Sequence, residues 1–447
     1  MSLWFETALV GEAWADRVRL TLARGRIAGI EAGAEPRPGD ERHAIGLPGM
    51  PNLHSHAFQR SMAGLAEARG PGRDDFWSWR ALMYRFVDRI TPDDLEAIAA
   101  QAYAEMLEAG FTRVGEFHYL HHDVDGRPYA DIAEMSGRIA AAAETSGIGL
   151  TLLPVFYAHG GFGGAPAGEA QRRFVSDPDG FGDLVERARA KLGDDGLAGI
   201  APHSLRALTL DELRAILPVA GRGPVHIHLA EQVREVEDCL AWSGRRPVEW
   251  LLGEMPVGRD WCLVHATHVT DAERAALAAS EAVAGLCPVT EANLGDGIFP
   301  AAAFLDEGGA IGIGSDSNVR IDAAEELRLL EYGQRLTARA RNVLASPARP
   351  STGARLFHAA VTGGAQALGV AGGIALGGPA DIVSLDAADP AFHARRGDAL
   401  LDSLIFAARR PVDCVWRRGV RQVSGGRHRH AEAIAARYRA ALARLLA

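Results

Sequence analysis

Between residues 46 and 375, apolar runs of strand length alternate with amphipathic stretches of helical period, the pattern of repeated βα units. The strands this pattern predicts cover 46–53, 111–117, 148–157, 197–202, 224–229, 261–265, 282–287 and 310–315. Helix starts fall between them. Thr91-Pro-Asp-Asp-Leu supplies a capping threonine, a proline at the first helical position and acids in the first turn, and Gly110 closes that helix. Thr209-Leu-Asp-Glu-Leu and Thr270-Asp-Ala-Glu-Arg repeat the signal. Eight such strands predict an α/β chain whose residues 46–375 form a (β/α)8 TIM-like barrel.

The two ends read differently. Val18, Leu20 and Leu22 alternate with polar residues, Arg24-Gly-Arg26 turns the chain, and Ile27 and Ile30 resume the apolar side. Ala380-Asp-Ile-Val-Ser-Leu-Asp386 and Cys414-Val-Trp-Arg-Arg-Gly-Val420 have the same character. Neither end has enough strands to bury a face alone. Residues 1–45 and 376–447 are therefore expected to combine into one small, split β-sandwich domain.

In a barrel of this kind the C-terminal ends of all strands converge on one face, which is where chemistry is placed. Four islands fall at such ends: His54-Ser-His56 at strand one, His228-Leu-Ala-Glu231 at strand five, Val264-His265-Ala-Thr-His268 at strand six, and Gly314-Ser-Asp316-Ser at strand eight. Each has a bland reading by itself, since His-x-His is common, a lone buried histidine is usually a core residue, and Gly-Ser-Asp-Ser usually makes a turn. Four of them in order at strand ends point to one metal site of His54, His56, His228 and Asp316. Three imidazoles and a carboxylate with a position left for water form a hydrolytic set, and a metal there makes water nucleophilic at neutral pH. Beside it, Asp316 is expected to accept a proton from the attacking water, His265 to orient that water, and Glu231 to carry protons to a departing group. The alternative for Glu231 is an acid in the first turn of a helix, stabilising through the helix dipole. His268 is left outside the site as a surface residue.

Other motifs change little. Gly160-Gly-Phe-Gly-Gly164 lacks a directly following helix and a P-loop lysine, so a mobile loop over the barrel mouth is expected. His121-His122 reads as a solvated pair, and Trp77 and Trp79 as packing for their loop. A net charge of −10, with no basic stripe, excludes nucleic acid as partner but leaves the pocket's own charge open. The opening Met-Ser-Leu-Trp-Phe-Glu has no basic start before an apolar core, and no apolar run reaches spanning length, so neither secretion nor membrane contact is expected. Cys239, Cys262, Cys287 and Cys414 are scattered, which fits a reducing cytoplasm. Lys191 is the single lysine among 47 basic residues.

Pro48-Gly-Met-Pro-Asn-Leu-His-Ser-His56 and the islands after it resemble the amidohydrolase superfamily over nearly the whole chain. Superfamily members with two metals bridge them through a lysine ending strand four, whereas here that strand ends Ile200-Ala-Pro-His203 and Lys191 lies in the preceding helix. The resemblance then implies one divalent metal per chain, zinc foremost, as in the cytosine-deaminase-like members that share His-x-x-Glu after strand five. Within that group, His54-Ser-His-Ala-Phe-Gln-Arg60, Asp75-Phe-Trp-Ser-Trp-Arg80, Gly115-Glu-Phe-His-Tyr119, Pro202-His-Ser-Leu-Arg206 and His228-Leu-Ala-Glu-Gln232 look like the formiminoglutamate deiminases of histidine degradation. That likeness implies a small substrate with two carboxylates, N-formimino-L-glutamate, converted to N-formyl-L-glutamate and ammonia. It also implies substrate contacts from Gln59, Arg80, Tyr119, His203 and Arg206, the two arginines read as following strand ends and gripping the carboxylates. A homodimer is the superfamily expectation. The alternatives are a deaminase of a nucleobase or related heterocycle, and a non-catalytic metal-binding barrel, against which the presence of Glu231 and His265 speaks.

Overall fold

The computed structural model describes residues 1–70, 72 and 74–447. Eight barrel strands run in chain order: β1 Met50–Ser55, β2 Phe111–His118, β3 Gly149–Phe156, β4 in two pieces (Leu197–Ala198 and Ala201–Pro202), β5 Val225–Leu229, β6 Trp261–His265, β7 Val283–Leu286 and β8 Ala310–Ile313. Consecutive strands pair in parallel from β1 to β4 and from β5 to β8. Single parallel bridges complete the ring: Ile200 with Val225 and Ser204 with His228 join β4 to β5, and Ser55 with Asp316 joins β8 to β1. The last closure positions the site. Asp316 donates its N–H to His54 O at 3.0 Å, and His56 donates to Asp316 O at 2.9 Å, so the ring closes between ligand candidates.

The run predicted as strand 46–53 belongs to two strands. Glu41–Pro48 lies in a second sheet, and Gly49 leads into β1, where a Cβ would fall 2.2 Å from Thr112 Oγ1. His54 consequently sits inside β1 and not beyond it. Helix Thr352–Ala367 closes over the seam: a Cβ on Gly363 would lie 2.0 Å from Ile311 O, so only a bare backbone approaches β8 so closely.

The second sheet has eight strands, drawn from both chain ends. Ser2–Val10, Ala13–Ala23, Arg26–Glu31 and Glu41–Pro48 meet Ile382–Leu385, Val412–Arg417, Val420–Ser424 and Arg427–His428 where Glu41–Pro48 pairs antiparallel with Ile382–Leu385. It is one continuous sheet with its own core of Leu3, Phe5, Val18, Leu20, Ile382 and Trp416. The last helix, Ala431–Leu446, docks on barrel helix Pro92–Glu108, with Arg437 reaching Glu96 at 2.7 Å. Among the described residues no helix is long and apolar enough to cross a membrane.

Candidate active site

Three imidazoles meet at the C-terminal mouth of the barrel. His54 Nε2 lies 3.2 Å from His56 Nε2 and 3.1 Å from His228 Nε2. Asp316 Oδ1 stands 3.4 Å from His54 Nε2 and 3.3 Å from His56 Nε2, and all four residues are buried. The opposite ring nitrogens set the tautomers: His56 Nδ1 donates to Phe117 O at 2.9 Å and His228 Nδ1 to His203 O at 3.1 Å, leaving lone pairs on both Nε2 atoms. Burial pushes His54 down to about 3 and lowers His56 and His228 as well, so the rings are neutral. Lone pairs and a carboxylate oxygen converging in a buried space suit a divalent cation, with the Nδ1–H bonds as outer support. The residues fit the metal. Lys191 pairs with Asp131 at 2.6 Å just past helix Pro178–Ala190, so no lysine reaches this centre to bridge a second ion.

The strand ends carry unusual backbone. Ala230, His265 and Asp316 have φ of 51°, 67° and 43°, the left-handed region that non-glycine residues rarely adopt. Such conformations persist where surrounding structure over-determines them, as at active sites. They occur where Glu231, His265 and Asp316 enter one pocket from the ends of β5, β6 and β8.

His265 Nε2 lies 3.9 Å from both Asp316 Oδ2 and Glu231 Oε1. Its Nδ1 is 3.2 Å from Glu291 Oε1, which also accepts the Cys287 N–H at 2.8 Å. Burial lowers the His265 pKa, but Glu231, Glu291 and Asp316 outweigh it and raise the group to about 10. Burial pushes Glu231 up to about 7, within reach of proton exchange at neutral pH. Burial raises the Asp316 carboxyl, yet the bond to His54 and the cationic His265 beside it hold it well below the usual range. Glu231 is not a first-turn acid: helix Val233–Ser243 starts two residues later, and Glu235, from its first turn, accepts the Glu231 N–H at 3.2 Å. The structure adds Glu291 to the site. Its only signal is a carboxylate shortly after β7 in Cys287-Pro-Val-Thr-Glu291, indistinguishable from a helix-start acid.

All five expected substrate contacts line the same pocket as His56, His228, Glu231, His265 and Asp316. Gln59 follows His56 in the turn Ala57–Met62; its Nε2 donates to Tyr119 Oη at 2.9 Å, while its buried Oε1 has no partner among the described residues. Tyr119 Oη in turn donates to Met83 Sδ at 3.2 Å. His203 packs edge-on to Tyr157, with ring centroids 4.8 Å apart, and tilted against His228 at 5.1 Å. Arg206 follows β4 as expected. Arg80 does not follow a strand end: it sits on helix Phe76–Val87, which covers the pocket, and donates to Tyr84 Oη at 2.7 Å. Among the described residues neither arginine pairs with a carboxylate, and Arg206 Nε is buried without a partner.

Three smaller expectations change. His121 and His122 are buried, not solvated, with Nε2 atoms bonded to Val155 O at 2.8 Å and Val175 O at 2.9 Å. The glycine-rich stretch is no open loop: His159–Gly161 and Ala165–Pro166 pair as a hairpin whose Phe162 stacks on Trp242. His268 is half-buried, its Nε2 unpartnered among the described residues. A larger cleft of about 760 Å³, bordered by Leu47, Glu105, Arg320 and Pro411, contains none of the groups above.

Residues 45–421 match the model of the amidohydrolase family. The chain belongs to the amidohydrolase family. Residues 3–44 match the model described as "Formimidoylglutamate deiminase HutF, N-terminal domain". Among relatives of this amidohydrolase, the formimidoylglutamate deiminase of Pseudomonas aeruginosa is 54% identical over 433 residues, covering 96% of this chain and 95% of that protein. A 5-methylthioadenosine/S-adenosylhomocysteine deaminase of Natronomonas pharaonis is 28% identical over 396 residues, covering 85% of this chain and 81% of its own. The crystal structure of an amidohydrolase from Brucella melitensis superposes with a TM-score of 0.97 at 56% identity over 100% of both chains. The amidohydrolase is thus a barrel enzyme with a small β domain, and its chemistry is hydrolysis of C–N bonds.

Proposed function

We propose that this amidohydrolase converts N-formimino-L-glutamate and water to N-formyl-L-glutamate and ammonia, a step of histidine degradation. His54, His56, His228 and Asp316 would hold one divalent metal, zinc by the donor set. The observation that carries the substrate reading is the pair Arg80 and Arg206, two half-buried guanidiniums beside the histidine cluster with no acidic partner among the described residues. Half-buried cations lining a pocket without carboxylate partners suit anionic ligands, and a guanidinium matches a carboxylate fork to fork. A heterocycle offers no such pair of anions. The relative at 54% identity supports the same substrate.

When bound, the metal supplies a Lewis acid that makes water nucleophilic at neutral pH. Asp316 Oδ2 takes the proton of the attacking water, and His265, cationic and anchored by Glu291, holds that water and the developing negative charge. Water adds to the formimino carbon, its two protons pass in turn through Asp316 and Glu231 to the terminal nitrogen, and the bond from carbon to that nitrogen breaks, leaving the oxygen as the formyl carbonyl and the nitrogen as ammonia. Gln59 Oε1 accepts from the formimino N–H, while Tyr119 and His203 add hydrogen bonds to the carboxylates. The four cysteines are buried free thiols, which supports a reducing cytoplasm as the compartment.

Ammonia release from a panel of formimino amino acids and nucleobases tests the reading. N-formimino-L-glutamate should be the best substrate; a nucleobase turned over faster would overturn it. Elemental analysis of the purified enzyme should find about one divalent ion per chain, because the donors define a single centre. His228→Ala should lower that content, and two tightly held ions in active enzyme would contradict the single-metal site.

A further inference from the structure

Helix Phe76–Val87 opens on a capping box. Asp75 accepts the N–H groups of Trp77 at 2.9 Å and Ser78 at 3.2 Å, and Ser78 Oγ accepts the Asp75 N–H at 3.1 Å. Trp77 is thereby fixed in the first turn. Arg80 follows three residues later and Tyr84 four after that, so the three side chains run in one stripe along the helix, and Arg80 and Tyr84 line the pocket.

Three guanidiniums from three different segments gather on the Trp77 indole. The Cζ atoms lie 5.5 Å from the ring centroid for Arg80, 5.8 Å for Arg206 and 4.8 Å for Arg234. Arg206 arrives from the loop after β4, and Arg234 from the first turn of helix Val233–Ser243 after β5. Like charges so close repel. Among the described residues Arg234 forms one ion pair, with Asp238 at 3.6 Å on exposed surface. What all three share is the electron-rich indole, which attracts a cation within about 6 Å of its centroid.

We propose that Trp77 is a specificity-determining positioning residue: it gathers Arg80, Arg206 and Arg234 into one cationic mouth, in which Arg234 is the outer cation that captures a dicarboxylate before the inner pair grips it. This rests on the dicarboxylate reading of the pocket. The division of labour follows from exposure. Arg234 is solvent-exposed, so its field acts on arriving substrate and is screened by salt, whereas Arg80 and Arg206 are half-buried and act on bound substrate. Trp77 acts through the arginines and touches no reacting atom.

The test compares the parent enzyme with Trp77→Leu, Trp77→Phe and Arg234→Gln. Kinetics with N-formimino-L-glutamate at low and high ionic strength are paired with calorimetric binding of glutarate, a plain dicarboxylate that needs no turnover. Trp77→Leu should raise KM and the glutarate Kd roughly three- to thirtyfold with kcat largely kept, and Trp77→Phe should restore most of the loss. Arg234→Gln should lower kcat/KM by roughly three- to tenfold at low salt, with the gap closing near 1 M salt, where the Debye length is about 3 Å. Parental KM and glutarate Kd in Trp77→Leu, no rescue by phenylalanine, or an Arg234→Gln effect indifferent to salt would each overturn the proposal. A parent that binds glutarate through this cluster yet releases no ammonia from N-formimino-L-glutamate would sink the functional reading and leave the cluster standing. A parent that turns the substrate over while all three variants bind glutarate normally would do the reverse.

Discussion

Glu231→Gln should lower kcat by on the order of 10² to 10⁴ while the metal content stays at the parental value. The argument starts from the leaving group. Amide anion is far too basic to depart, so C–N cleavage must be accompanied by a proton reaching the nitrogen, and the donor must stand close with a pKa near the working pH. Glu231 meets both demands: its Oε1 is 3.9 Å from His265 Nε2 in the pocket, and burial brings its pKa up to about 7. Glutamine keeps the size and most hydrogen bonds but cannot give up a proton in exchange. Because Glu231 lies outside the histidine cluster, elemental analysis beside steady-state kinetics separates loss of proton transfer from loss of metal. A glutamine variant with near-parental kcat would assign Glu231 to packing in the segment before helix Val233–Ser243.

Arg206→Met and Arg80→Met should each cost roughly ten- to a hundredfold in kcat/KM for N-formimino-L-glutamate, the equivalent of about 1.5 to 3 kcal/mol for one charge-assisted bond at ~1.4 kcal/mol per decade. Methionine retains the apolar stem and removes only the fork. The side chain each arginine reads is separable with a formimino amino acid that lacks the side-chain carboxylate. It should be a poor substrate for the parent, and the mutant that has lost the side-chain grip should no longer distinguish it from the dicarboxylate. If both mutants turn over the dicarboxylate normally, the formiminoglutamate reading fails and the metal-dependent hydrolytic chemistry survives alone.

Much of the site was legible because each candidate ligand stands in a short island at the end of an apolar run. His54, His56, His228, His265 and Asp316 could be assigned to strand ends without knowing how the strands close, since every parallel strand in a closed barrel delivers its C-terminal end to the same face. Arg80 was placed less well. Its island follows β1 in sequence, but the chain first makes the turn Ala57–Met62 and then a covering helix, so the guanidinium enters the pocket from above. Glu291 and Trp77 follow a related rule: an acid near a helix start and an aromatic that reads as packing for its loop have ordinary local explanations, and only their spatial neighbours give them a place at the site.

The boundary of β1 shows where local pattern stops. Residues 46–53 read as one apolar run, yet the chain changes sheet within it at Pro48-Gly49, where Thr112 on β2 leaves no room for a Cβ and so requires the glycine. The buried state of His121 and His122 is similar: two adjacent polar residues look solvated until the carbonyls of Val155 and Val175 come to meet them.

By itself the sequence determined the alternation of strands and helices, the donor types, the lack of a bridging lysine, and the order in which the site residues reach the barrel mouth. These are properties of residue identity and spacing, and they survive without coordinates. Tertiary structure alone decided the left-handed backbone at Ala230, His265 and Asp316, the anchoring of His265 by Glu291, the pKa values of Glu231 and His265, and the clustering of three arginines on Trp77. Each depends on groups far apart in the chain brought within a few ångströms in a buried space, where electrostatic energies follow distance and desolvation, and sequence separation encodes neither.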